Sequence, residues 1–415
     1  MTVSRKPEDK ISALLRKGVS ILNPSSVEIG NDVDIERISS RGVVLHGGTK
    51  LCGSKLLIGP DAVIGFEGPA TVVDCQLGKG VHLKGGFFTK SVFLDRSAMS
   101  LGAHVREACL VEEEASGAHT VGLKHTILFP FVTVGSLVNF CDCLMAGGNS
   151  RKNHSEVGSS YIHFNYTPNQ DKATPSLIGD VPRGVMLRER PIFLGGQGGI
   201  VGPLRIGYGT VAAAGTILRS DCPKGGSLIV EGTPRGIVRK FTGELMGNLR
   251  RRVCNNVIYI ANLTALREWY RHARRIFFAG DGHEEALYRG ALEKIDMAVE
   301  ERVGRLESLA LAPENLSGGD EKHGMEELKR QLGDKWDEVK EMLSDLGSGG
   351  DDGDGRDVFL GSLLKAKERH GDYIPAIQCL AASQASVGTQ WLQSIVDRRC
   401  SRVLGCLPAM RSLSR

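Results

Sequence analysis

The chain is predicted to fold as an all-β left-handed parallel β-helix built on a hexapeptide repeat, with an appended C-terminal α-helical domain. Three observations predict this. Small aliphatic residues recur six positions apart between Val27 and about Val230, and the clearest run is Leu194, Ile200, Ile206, Ala212 and Leu218. Glycine is abundant, 53 of 415 residues, with no Gly-X-Y period, so turns must recur many times. Beyond Lys240 the apolar spacing changes to threes and fours, and all three tryptophans lie there.

Residues 1–22 read as an N-terminal helix and linker. Ile11, Leu14 and Leu15 stand at helical spacing, and Asn23-Pro24-Ser25-Ser26 breaks the pattern. Residues 23–236 carry the hexads: Ile29-Gly30 precedes Ile35, Ile58-Gly59 precedes Ile64-Gly65, and Leu77-Gly78 precedes Leu83. Each short coil would cover the apolar edge of its neighbour, making a continuous core from tiny strands. The glycine after the aliphatic residue is expected to supply corner angles that a Cβ resists. A β-sandwich would instead show strict alternation and irregular spacing. The hexads lapse across roughly Leu83–Val134 and again from Asn153 to Arg190. In a solenoid such lapses mark loops, which often build the binding face.

Residues 237–346 form the α-helical domain. Val253 to Phe277 predict an amphipathic helix, Tyr288 to Leu306 a second, and Met325 to Leu343 a third. GSGGDDGDG within 347–356 is a flexible linker by composition, and it lacks the closing glutamate of a calcium loop. Residues 357–415 are expected to be a helical tail.

A net charge of +4 argues for neither nucleic acid nor a membrane surface as partner. The N-terminus, MTVSRKPEDK, has no apolar core for a signal peptide, no run is long enough to cross a bilayer, and the ten cysteines are scattered. A cytoplasmic protein is the simplest expectation.

The segment NHSEVGSSYIHFNYTPNQDK (153–172) fits neither helical nor strand periodicity. Together with GVSILNPSSVEIGNDVDI before it and IFLGGQGGIVGPLRIGYGTVAAAGTILRSD after it, it resembles a known family. This is the acetyltransferase half of the bifunctional N-acetylglucosamine-1-phosphate uridylyltransferase/glucosamine-1-phosphate N-acetyltransferase. The likeness covers about Gly18 to Asp221, with no counterpart of the uridylyltransferase domain. It implies an acetyl-CoA-dependent N-acyltransferase acting on an amino-sugar phosphate or nucleotide amino sugar, in UDP-N-acetylglucosamine or cell-envelope sugar metabolism, working as a homotrimer with active sites between prisms. By that resemblance His154 is the general base, an imidazole suited to taking a proton from an attacking amine. Asn165, Tyr166 and Lys172 would hold the sugar phosphate, and Gly196 and Ala214 would line the coenzyme channel. Arg219 or Arg235 would reach the coenzyme's phosphates.

The chain also departs from the family. LFPFVTVG lacks its phosphate-binding arginine, NFCDC replaces a lysine region, Val157 stands for a tyrosine, and about two hexads are missing between His154 and Asn165. Arg151, Lys152 or Lys124 would have to restore the lost charge, and His163 is a second candidate base. Two other readings follow from the residues. A non-catalytic β-helix scaffold is compatible with the missing cations. A carbonic-anhydrase-like zinc site would need His119 and His125, six apart, with His154 or His163 as third ligand.

Overall fold

In the computed structural model, residues 7–166, 172–231, 249–278, 280, 282–312, 322–345 and 353–412 are described. The left-handed β-helix expected from the hexads is realised as a three-faced parallel solenoid. Among the described residues its faces hold 11, 10 and 8 strands, here called A, B and C. The chain visits them in the order A, B, C, then steps to the next coil. Ala98 pairs in parallel with Ser116, and Phe193 with Val211, each eighteen positions later. Every pairing between coils is parallel. One antiparallel hairpin, Gly148–Ser150 with Asn153–His154, interrupts the corner between faces C and A.

The hexads supply the inward rows. On face C these are Ile58, Leu77, Phe93, Val111, Leu128, Met145, Ile178 and Ile206, stacked coil on coil. Corners are held by a second ladder. Asp74 donates its N–H to Cys52, His125 to Glu107, and Asp142 to Lys124 in the coil before. These donors sit at positive φ, 50°, 47° and 61°, although none is glycine. The glycine after the aliphatic residue supplies the expected corner angle at Gly65 and Gly179, with φ of 85° and 87°, but elsewhere it serves another purpose. Gly59, Gly135, Gly158 and Gly195 lie outside the left-handed region, and a Cβ on Gly158 would stand 2.3 Å from the Gly196 nitrogen. They permit coils to approach, and their neighbours make the turn.

The lapse expected across Leu83–Val134 is not an insertion. The coils run on, but Ser116 pairs with Thr133 seventeen positions later rather than eighteen, so the spacing drifts. The second lapse, from Asn153 to Arg190, is real: it begins with the hairpin's second strand, Asn153–His154, and it contains residues 167–171, which lie outside the described residues.

Helix α1 (Pro7–Lys17) covers the first coil, with Lys10 Nζ donating to the carbonyls of Gly30, Asn31 and Val33. α2 (Val181–Gly184) lies at a C-to-A corner. Then come α3 (Leu249–His272), α4 (Gly282–Leu311), α5 (Lys322–Asp334), α6 (Trp336–Ser344), α7 (Gly353–His370), α8 (Tyr373–Gln378) and α9 (Ala382–Gly405). The helix expected from Met325 to Leu343 is broken at Lys335 into α5 and α6. α3 is not amphipathic but buried on nearly every side, between the solenoid and α9.

α4 crosses face C. That face differs from A and B in burying both of its sides. Its outward row, Leu57, Gln76, Val92, Leu110, Ile127, Leu144 and Leu177, is at most 5% exposed. Small residues on α4 allow the close approach: a Cβ on Gly290 would meet Gln76 Oε1 at 2.7 Å. Covering the six apolar members of this row contributes on the order of 10 kcal/mol. Polar anchors stand at the margins. Arg274 pairs with Glu113 and stacks on Tyr373 at 3.8 Å, and Tyr270 donates to Glu112 at 2.5 Å. Among the described residues no helix is long and apolar enough to cross a membrane.

Candidate functional site

The expected site residues fall at three different corners of the prism. His154 lies on the hairpin at the C-to-A corner, where it pairs with Gly148. The hairpin is fastened below by Arg151, whose Nη1 donates to the carbonyls of Glu114 and Phe131. It is fastened at its side by Gln378, which donates to the Asn149 carbonyl at 2.6 Å. The His154 side chain is 18% exposed, and its Nε2 stands 3.8 Å from Glu156, too long for a hydrogen bond. Nδ1 is buried and has no hydrogen-bond partner among the described residues. The ring thus has a carboxylate beside it and no group that fixes its tautomer.

Asn165, Tyr166 and Lys172 lie at the B-to-C corner. Asn165 Nδ2 donates to Asp142 Oδ2 at 3.2 Å, and its carbonyl accepts from Thr174. Tyr166 is 58% exposed, with the Lys172 ammonium 5.6 Å from its ring centroid. Asp142 is the residue that the sequence reading missed. It is the corner residue of NFCDC, buried, and its other carboxylate oxygen accepts from Arg302 on α4 at 2.7 Å. The only signal for it in the sequence was a lone acid set between two cysteines at a corner of the repeat. Lys124, a candidate for the missing charge, is instead paired with Glu107 at 2.8 Å.

Gly196 and Ala214 line the A-to-B corner in consecutive coils, and Gly215 N–H donates to the Gly196 carbonyl at 2.9 Å. With Gly158 below, they mark a stretch of this corner where successive coils approach backbone to backbone. A Cβ on Gly195 would stand 2.4 Å from the Ala214 nitrogen. Arg219 is exposed at the B-to-C corner, its Nη1 donating to Ile217 and standing 3.8 Å from Glu231. Arg235 lies outside the described residues. The structure therefore joins Asn165 to Tyr166 and Lys172, and Gly196 to Ala214. No contact among the described residues joins either group to His154.

His163 is not a solvent-facing base. It occupies the inward row of face B, between Phe140 and Ile200, and is 3% exposed. Nδ1–H donates to the Cys141 carbonyl at 2.6 Å, and Nε2 accepts from Ser176 Oγ at 2.8 Å. Burial pushes the imidazole down to about 4, against the pull of Asp142, so it is neutral. His119 and His125 do not stack. His119 bonds Ser136 at an A-to-B corner, and His125 sits at a B-to-C corner. Among the described residues no three His, Cys, Asp or Glu side chains are placed to hold a metal ion. A cavity of about 540 Å³ lies at the other end of the solenoid, between its first coils and the helices, lined by Arg41, Lys79, Arg274 and Tyr373. It contains none of the expected site residues.

No family model matches the chain. Over 215 residues it is 27% identical to the "Bifunctional protein GlmU" of Thermotoga sp. (strain RQ2), covering 52% of this chain and 42% of that protein. The protein of the same name from Shouchella clausii (strain KSM-K16) is 26% identical over 209 residues, covering 50% and 40%. That of Fervidobacterium nodosum is 26% identical over 232 residues, covering 55% and 45%. The chain thus spans less than half the length of these curated relatives, and the homology covers about half of the chain. A solved structure titled "Crystal Structure of the polySia specific acetyltransferase NeuO" overlaps 54% of this chain and 93% of its own at 12% identity, with a TM-score of 0.15. That superposition is too poor to carry an argument.

Proposed function

We propose that this chain is an acetyl-CoA-dependent N-acyltransferase whose acceptor is an amino-sugar phosphate or a nucleotide amino sugar. The observation that carries the reading is the homology to the GlmU proteins over about half of the chain, with Gly196 and Ala214 at positions resembling the family's coenzyme channel.

In the reaction the acceptor amine attacks the thioester carbonyl carbon, forming C–N as C–S breaks. His154 takes the proton that the amine sheds, and this proton neutralises the departing thiolate. His154, Asn165 and the Gly196–Ala214 corner lie at separate corners of one prism; a homotrimer, which the family resemblance implies, would bring such corners together between neighbouring chains. Asn165 and Lys172 hold the acceptor. The test is thiol release from acetyl-CoA with a panel of amino-sugar phosphates and nucleotide amino sugars. His154→Ala is expected to lower kcat about a hundredfold or more with folding unchanged. Wild-type rates in the variant would remove His154 from the chemistry.

One observation favours a second reading, a non-catalytic scaffold. The cations around Asn165 are already engaged: Arg302 by Asp142, and Lys172 by the Tyr166 ring. An anionic acceptor needs uncompensated positive charge. Calorimetry with coenzyme A separates the two, since a scaffold binds none.

A further inference from the structure

Two flanking stretches, Asn165-Tyr166 and Lys172-Ala173, are tied to the helices that pack on face C. Arg302 lies on α4, with 1% of its side chain exposed. One guanidinium nitrogen, Nη2, donates to Asp142 Oδ1 at 2.7 Å, and the other, Nη1, donates to the Lys172 carbonyl at 3.1 Å. Asp142 uses its second oxygen to accept from Asn165, in the other stretch. A single planar cation therefore ties both stretches, one directly and one through a carboxylate. α3 adds a third tie, Asn256 Nδ2 to the Ala173 carbonyl at 3.0 Å. Asp142 itself cannot drift. Its backbone N–H donates to Lys124 in the coil below, and its carbonyl accepts from Ser176 at 3.0 Å. Ser176 in turn supports the buried His163.

We propose that Arg302 is a positioning residue for the acceptor-binding residues Asn165 and Lys172, so that helices outside the β-helix set the geometry of the candidate site. The inference rests on the acyltransferase reading for its kinetic consequence, and on hydrogen bonds alone for its structural one. Arginine suits the task because its fork reaches two acceptors at fixed angles. Lysine offers a point charge that can satisfy Asp142 or the Lys172 carbonyl but does not hold the angle between them.

Two variants test it. Arg302→Lys keeps the charge. Arg302→Met combined with Asp142→Asn removes both charges together, which avoids leaving a buried carboxylate without its partner. Asparagine also tolerates the positive φ of position 142. Each is measured by amide hydrogen exchange across the chain and by steady-state kinetics with the acceptor found in the thiol-release panel. The expected result is exchange about tenfold faster or more at residues 163–166 and 172–176, unchanged in the coils from 57 to 128. The acceptor KM should rise about tenfold, with the acetyl-CoA KM within about twofold. Unchanged exchange at these two stretches, or faster exchange spread evenly along face C, overturns the proposal. If wild type turns over no acceptor, the acyltransferase reading fails, and local exchange still decides whether Arg302 orders the two stretches.

Discussion

His163 shows how a histidine can be read wrongly at the level of single residues. It sits six positions after Val157, as Phe140 follows Val134 and Ile200 follows Leu194, so the repeat itself assigns it to the interior. A buried histidine that must stay neutral makes stability depend on pH. Its folded value, about 4, lies below the value of about 6.5 in the unfolded chain, so below pH 6.5 the unfolded state binds the extra proton. Stability present at pH 7 should therefore fall as pH drops from 6.5 to 4, by roughly 3 kcal/mol from this group. Denaturant midpoints at pH 7.5, 6 and 5 measure it, and His163→Gln should flatten the slope. An equal slope in that variant would assign the effect to other groups. Asp142 gives the opposite lesson. Its corner position was open to a reader of the hexads, but its partner Arg302 lies 160 residues away on a helix. No local pattern reports such a pairing.

Among the elements, the coils were the legible part. A six-residue period forces inward rows, and the rows force stacked parallel strands. What the period leaves open is the outside of each face. Face C carries aliphatic doublets, Leu57-Ile58, Leu110-Val111 and Ile127-Leu128, but face A carries them too, at Val44-Leu45 and Val63-Ile64, so doublets alone did not single face C out. On face C both members of each doublet are buried, so this face needs apolar cover on both sides. Leu110→Asp should accordingly cost about 3 kcal/mol or more, because it places a carboxylate beneath α4. His82→Ala, on the exposed side of face A, should change stability by less than about 0.5 kcal/mol. Thermal unfolding of the two variants compares them directly, and similar shifts would mean that α4 does not seal face C in solution. The interruption from Asn153 onward was located, but the hairpin's first strand, Gly148–Ser150, and the corners occupied by His154 and Asn165 were not. Corner assignment depends on counting through coils of seventeen and eighteen residues, and one slip moves a residue to another edge of the prism.

For the molecule as a whole, the helices are part of the solenoid's packing and not an attachment. A chain ending at Glu231 should expose the outward row of face C and associate through it. Sedimentation should then show large, heterogeneous species, whereas the 415-residue chain gives a single one. A well-behaved truncated prism would show that face C can remain bare. The corner between the other two faces, A and B, carries Gly196 and Ala214. The placement of the cover late in the chain also has a consequence for biosynthesis. At a synthesis rate of about 5–20 residues per second, the coils leave the ribosome several seconds before α4 does. During that interval the strip from Leu57 to Leu177 faces water on a nascent chain, a natural resting place for a chaperone until the ribosome delivers its permanent cover.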